Sequence, residues 1–325
     1  MRGTMARLRR DGSPGLAEGG SLRLRAAWLY YSEGLTQKDI AERLGLSRTT
    51  IVRMLEEARK RGEVRIWIDE SVAECIELSI VLENKLPIDE AIVVPAAPGA
   101  EATARSVGLA LGEFLSGISL DHATIGVGWG RTLTASLASF RPARREAARV
   151  VSLLGGIVEA RSANPVEFAW RLAGQLGAEC YMFPAPLIVD SAETRRRLIE
   201  ECGLDRLYAL AGALDLAILS VGEVAMDTTS LAGDVIAPED LAQIIALGGV
   251  ADLMCNFLDA QGRTINHPVR ERVMSVTLES VRAARHVVIA SGGARRAAAI
   301  RAVIRRVGCN TLITDEDAAR ALVAL

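Results

Sequence analysis

TQKDIAERLGLSRTTIVRMLEEARKR, residues 36–61, reads as two short helices joined by a tight turn. Ile40, Ala41 and Leu44 give the first helix an apolar stripe, and Ile51, Met54, Leu55 and Ala58 give one to the second. Thr36 and Ser47 stand where each helix begins, and a hydroxyl there can accept a free backbone amide. Gly45 falls at the turn, where positive φ comes at little steric cost to glycine. Ala41 is small where the two helices would cross. This is the pattern of a helix-turn-helix, whose second helix reads the major groove of DNA. Arg48, Thr49, Thr50 and Arg53 lie on the exposed start of that helix, within reach of base edges and phosphates. Gln37 and Ser47 complete the set expected to meet DNA.

The flanks agree. Leu22, Ala26, Leu29 and Tyr30 recur at helical spacing before the pair, and Glu63–Ile68 alternates like a strand after it, as a wing would. Residues 1–70 hold 14 Lys/Arg against 10 Asp/Glu, a net of +4. Residues 71–325 hold 24 against 30, a net of −6, so the overall charge of −2 conceals a basic start.

A chain of 325 residues, half of them apolar, has room for a small reader and a larger second domain. We expect an arm without fixed structure over 1–20, a winged helix-turn-helix over 21–70, a linker helix over 71–86 and an effector-binding domain over 87–325. The apolar stripe of the linker helix, around Leu78, Val81 and Leu82, is a candidate dimer contact. Cys75, Cys180, Cys202, Cys255 and Cys309 are scattered and form no C-x-x-C pair, which argues against disulfides and zinc and fits a cytoplasmic protein. No apolar run reaches the roughly 20 residues of a membrane span, and residues 1–20 lack the apolar stretch of a secretory signal.

Beyond residue 90 short apolar runs alternate with helical stretches. Strands are expected at 91–94, 124–127, 150–154, 217–221, 250–257, 287–290 and 311–314, with helices at 102–115, 132–140, 165–176 and 294–306. That alternation means a parallel α/β sheet covered on both faces. Ligands of such sheets bind beyond the carboxyl ends of the strands, and four strands end there in glycine: Gly128/Gly130, Gly155/Gly156, Gly222 and Gly292/Gly293. Thr132 adds a hydroxyl, and Arg131, Arg295 and Arg296 add positive charge, so the parts suit a phosphate. Neither a P-loop nor a G-x-G-x-x-G is present, so no nucleotide cofactor is indicated.

The ordered set SRTTIVRMLEEARKRGEVRIWI, TIGVGWGRTL, VSLLGGI, VADLMCNFLDAQGRTI and ASGGARRAAAI resembles the SorC family of sugar-responsive transcriptional regulators across residues 21–325. The resemblance implies a winged reader followed by a Rossmann-like parallel α/β effector domain of the sugar-phosphate isomerase/CoA-transferase type. It also implies a homo-tetramer built as a dimer of dimers, and a repressor of a carbohydrate or polyol operon controlled by a phosphorylated sugar or polyol. The family's ligand loops carry over onto Gly128, Gly130, Arg131 and Thr132, onto Gly155 and Gly156, onto Asp252 and Asn256, and onto Gly292 and Gly293. The family's G-G-x-x-K-x-x-A-I departs here, with Arg296 in the lysine's place; its planar fork is not interchangeable with an ammonium.

Two other functions are weighed on the residues. An isomerase-like enzyme fused to a reader would need catalytic groups, yet the chain's three lysines, Lys38, Lys60 and Lys85, all precede the first sheet strand. His122, His267 and His286 read as structural or solvated, and Asp252 with Glu223 is the remaining acid–base pair. A sensor of an unphosphorylated sugar or polyol would keep the pocket and drop the anion. The expectation is a regulator with no catalytic residue, metal or cofactor, whose partners are operator DNA and the effector.

Overall fold

The computed structural model describes residues 16–64, 70–141, 147–157, 165–227 and 235–325. Two compact units divide the chain between Asp69 and Glu70.

Among its described residues the first unit has three helices: α1 (Leu16–Tyr31), α2 (Gln37–Leu44) and α3 (Arg48–Lys60). Their inward residues, among them Ala26, Leu29, Ile40, Ala41, Ile51, Leu55 and Ala58, form one buried cluster. Both expected caps exist. The Asp39 amide donates to Thr36 Oγ1 at 3.3 Å while the Thr36 amide donates to Asp39 Oδ2, closing a reciprocal box. The Thr50 amide donates to Ser47 Oγ at 3.1 Å. Gly45 ends α2 at φ 68°, and the Leu46 amide bonds back to the Ala41 carbonyl. Residues 16–20 are helical, so α1 begins inside the stretch expected as an unstructured arm; residues 1–15 lie outside the described residues. So do residues 65–69, which hold most of the expected wing; Glu63 and Val64 form a bend.

The second unit is built on seven parallel strands: β1 (Glu90–Val94), β2 (Thr124–Val127), β3 (Arg149–Ser152), β4 (Glu179–Tyr181), β5 (Leu216–Leu219), β9 (His286–Ala290) and β10 (Thr311–Asp315), in the order β1-β10-β9-β5-β2-β3-β4. Successive side chains leave opposite faces of a strand, and here they feed two cores. Leu216, Ile218, Val288, Ala290 and Ile313 join one with helices α5 (Gly99–Gly117), α6 (Arg131–Ser136) and α7 (Pro165–Leu176). Ala217, Leu219, Val287, Ile289 and Leu312 join the other. This is why the strands read as continuous apolar runs: both faces are covered.

Two expectations are corrected. The stretch 250–257 is not one strand. It is a hairpin of β7 (Gly249–Leu253) and β8 (Asn256–Asp259), turned at Met254 and Cys255 with φ 54° and 60°, in a separate antiparallel sheet with β6 (Gly222–Glu223). The helix expected as a linker, α4 (Glu70–Lys85), is part of the second unit. Leu82 is fully buried, Leu78 packs on the same core, and Lys85 Nζ donates to the Val323 carbonyl at 2.9 Å. The stripe expected for dimer contact therefore largely serves the helix's own unit; Ile76 and Ile80 are its exposed apolar residues.

Candidate functional site

In the first unit the starts of α2 and α3 meet. Arg48 opens α3, and its Nε donates to Gln37 Oε1 at 3.4 Å, which couples it to the start of α2. Thr49 and Arg53 are exposed. Ser47 and Thr50 share a hydroxyl hydrogen bond of 2.8 Å, so Ser47 serves chiefly as the cap that fixes where α3 begins. An open concavity of about 720 Å³ adjoins Arg48 and is lined also by Tyr30, Gln37 and Lys38. Lys38 was missed in the sequence reading; its place one residue into α2, beside Gln37, was the available signal.

In the second unit the loops after β2, β5 and β9 are neighbours, because those strands are adjacent in the sheet. The Gly128 amide donates to the Ile218 carbonyl at 2.8 Å, and Ser291 Oγ donates to the Val221 carbonyl at 3.0 Å. Gly130 adopts φ 149°, ψ 159°, a region almost confined to glycine, and a Cβ there would meet Ser220 at 3.1 Å. Arg131 then opens α6, and Thr132 is buried behind it.

Arg296 has the environment of an ion-reading group. It is half-buried, and burial is the first cause that pushes its pKa below the ordinary arginine value. The charges of Arg131 and Arg295 push the same way, while Glu223 and Asp315 oppose them. Arg131, at the start of α6, is thus within electrostatic reach of Arg296. Arg296 Nη1 donates to the Gly292 carbonyl at 3.1 Å, and its Nε is buried with no partner. Arg295, expected as a second source of positive charge, is exposed and ion-paired with Asp227 at 2.8 Å and Glu223 at 3.4 Å. That leaves Arg296 as the enclosed cation of its loop.

Several glycine amides at this edge are engaged within the fold. Gly293 N donates to Asp315 Oδ1 at 2.7 Å, Gly155 N to the Met274 carbonyl at 2.8 Å, and Gly156 N to the Ala185 carbonyl at 2.9 Å. With Gly128 N also engaged, four of these loop amides are bound within the fold. Gly155 is glycine because a Cβ would stand 2.6 Å from the Ala185 carbonyl oxygen. Asp315, unassigned in the sequence reading, pins Gly293 and caps the last helix through the Ala318 amide; an aspartate between an apolar strand and a helical run was the legible sign.

The remaining pair is split. Asp252 Oδ1 accepts the Cys255 amide at 2.8 Å and stabilises the hairpin turn. Asn256 Nδ2 donates to Ser275 Oγ at 3.0 Å and lines a different cavity of about 530 Å³, bounded by Arg195, Arg270 and Arg306. Arg296 and Arg306 bracket the helix Ala297–Val307, a separation of about 15 Å at 1.5 Å per residue. The structure thus gathers Gly128, Gly130, Arg131, Thr132, Gly292, Gly293 and Arg296, and places Asn256 apart. Among the described residues no His/Cys/Asp/Glu group is arranged to hold a metal, and no helix is long and apolar enough to cross a membrane.

Residues 21–67 match the family described as "Homeodomain-like domain", and residues 70–324 match the family described as "Putative sugar-binding domain". The chain is 32% identical over 305 residues to the erythritol catabolism regulatory protein EryD of Brucella abortus, covering 93% of this chain and 96% of that one. It is 32% identical over 309 residues to the transcriptional regulator LsrR of Enterobacter sp., covering 93% and 92%. The crystal structure of the full-length sorbitol operon regulator SorC from Klebsiella pneumoniae superposes with a TM-score of 0.71 over 94% of this chain and 99% of that one. At 23% identity it shares the fold.

Proposed function

This chain belongs to the SorC family of sugar-binding transcriptional regulators, and from that premise we propose that it represses a sugar or polyol catabolic operon until a phosphorylated sugar or polyol binds its second unit. The observation that carries the effector's charge is Arg296, a half-buried guanidinium whose Nε is buried without a partner and which feels the charge of Arg131. Like charges in a partly dry site repel, and a bound dianion relieves both the repulsion and the lost hydration. EryD is named for erythritol catabolism, which makes D-erythritol 4-phosphate a suitable first probe. The carboxylates Glu223 and Asp252 serve structure and ligand hydroxyls rather than acid–base turnover, and no lysine follows Lys85 to form a Schiff base. The protein acts in the cytoplasm as a dimer of dimers, which sets several readers on one operator. A ligand that binds only folded protein raises its melting temperature. The test is a thermal shift with erythritol, D-erythritol 4-phosphate and D-ribose 5-phosphate. A shift with the phosphate esters alone is expected; equal shifts with erythritol and its phosphate would contradict the anion reading.

A further inference from the structure

Five buried side-chain nitrogen or oxygen atoms among the described residues have no hydrogen-bond partner: Trp129 Nε1, Arg296 Nε, Arg301 Nε, Arg306 Nε and Asp315 Oδ2. Arg301 and Arg306 lie along the helix Ala297–Val307. The other three sit just beyond β2 and β9 and at the end of β10, around the proposed anion site. Two of these three are complementary. Arg296 is a donor, Asp315 is an acceptor, and the carboxylate lies within electrostatic reach of the guanidinium. Trp129 Nε1 is the third, an enclosed donor with no partner.

The residue's placement gives that donor a use. Trp129 lies between Gly128 and Gly130 and directly precedes Arg131. Its ring is half-buried, packed against the larger apolar core. A phenylalanine would bury the same apolar ring without an unpaired N–H, so core packing alone does not call for tryptophan. We propose that Trp129 reads the part of the effector beyond its anion. The indole N–H donates to a hydroxyl oxygen of the polyol or sugar, and the uncovered part of the ring packs along its carbon chain. The effector class is then a polyhydroxylated carbon chain carrying a phosphate, held by Arg296 at the charged end and by Trp129 along the chain. This inference rests on the anion reading of Arg296. The N–H is enclosed, so a hydroxyl reaches it only when the loop Gly128–Arg131 shifts. A ligand that favours one loop conformation is the condition for it to bias the protein's state.

The full chain has four indoles, Trp28, Trp67, Trp129 and Trp170. A ¹⁵N indole spectrum of W129F identifies the Trp129 resonance by its loss. In the wild type, D-erythritol 4-phosphate or D-ribose 5-phosphate is expected to move that resonance, and inorganic phosphate to leave it in place. In thermal-shift titrations W129F should bind the responding ester about five- to tenfold more weakly, the loss of one neutral hydrogen bond, and bind inorganic phosphate as the wild type does. R296A should weaken both ligands. An unmoved Trp129 resonance at an ester concentration that stabilises the wild type, or W129F matching the wild type, overturns the role of Trp129. R296A keeping the ester response while W129F loses it rejects the anion assignment and leaves Trp129 standing. Esters that fail to stabilise the wild type at millimolar concentration overturn both.

Discussion

The two units use arginine in opposite ways. In the reader, Arg48 and Arg53 stand exposed near the start of α3, with Lys38 on the neighbouring helix. In the second unit the exposed Arg295 is neutralised by Asp227 and Glu223, and the half-buried Arg296 is the one with a depressed pKa. The partners proposed for the two units account for the difference. DNA is a long polyanion that binds exposed cations by releasing counterions. A small anion offers few contacts, so it needs an enclosed cation whose field is little screened.

That contrast can be broken by salt. If two readers each engage about three phosphates, operator affinity should fall on the order of a thousandfold between roughly 50 and 200 mM salt. Binding of the effector by Arg296 should fall far less over the same range. Anisotropy titrations of operator DNA, set beside calorimetry of the ester, compare the two slopes. Equal slopes would erase the distinction between exposed and enclosed cations.

The contrast extends to how each unit is held. Gly155→Ala puts a Cβ against three backbone atoms within 2.9 Å. It should cost about 1–3 kcal/mol of stability through overpacking, seen as a lower melting temperature. A fall in ester affinity with an unchanged melting temperature would instead restore Gly155 to the ligand site. Arg48→Ala should weaken operator binding by about 1–3 kcal/mol if the guanidinium forks onto a guanine, and should relax sequence preference at that position. A uniform loss on all DNA sequences would reassign it to a phosphate. The smallest effect is expected at Ser47, whose hydroxyl accepts the Thr50 amide. Ser47→Ala should destabilise α3 by about 1 kcal/mol, read as faster amide exchange at Thr50 and its neighbours.

The reader was legible because its signals are local: cap, apolar stripe and turn glycine all fall within 26 residues, and Thr36, Gly45 and Ser47 act as their positions implied. The central parallel strands were legible because burial on both faces leaves uninterrupted apolar runs, as at Leu216–Leu219. The hairpin at Met254–Cys255 was not, since two non-glycine residues at positive φ lack the Asn-Gly signature of such turns. The partners of the loop amides were not legible for a different reason. The acceptors that occupy them lie far along the chain, as Met274 does for Gly155, and no local pattern carries a contact of that range. Arg295 and Arg296 are adjacent in sequence and opposite in burial, which only the three-dimensional course of the 3₁₀ turn Ala294–Arg296 decides.

The central claim is that an enclosed guanidinium in one unit governs what an exposed one does in the other. It is tested most directly by operator titration of the wild type and Arg296→Ala across a range of D-erythritol 4-phosphate concentrations. The account predicts that the ester weakens wild-type operator binding, and that Arg296→Ala binds the operator normally without ligand but needs about ten- to a hundredfold more ester for the same effect, the loss of one charge-assisted contact. An identical ester response in both proteins would contradict it.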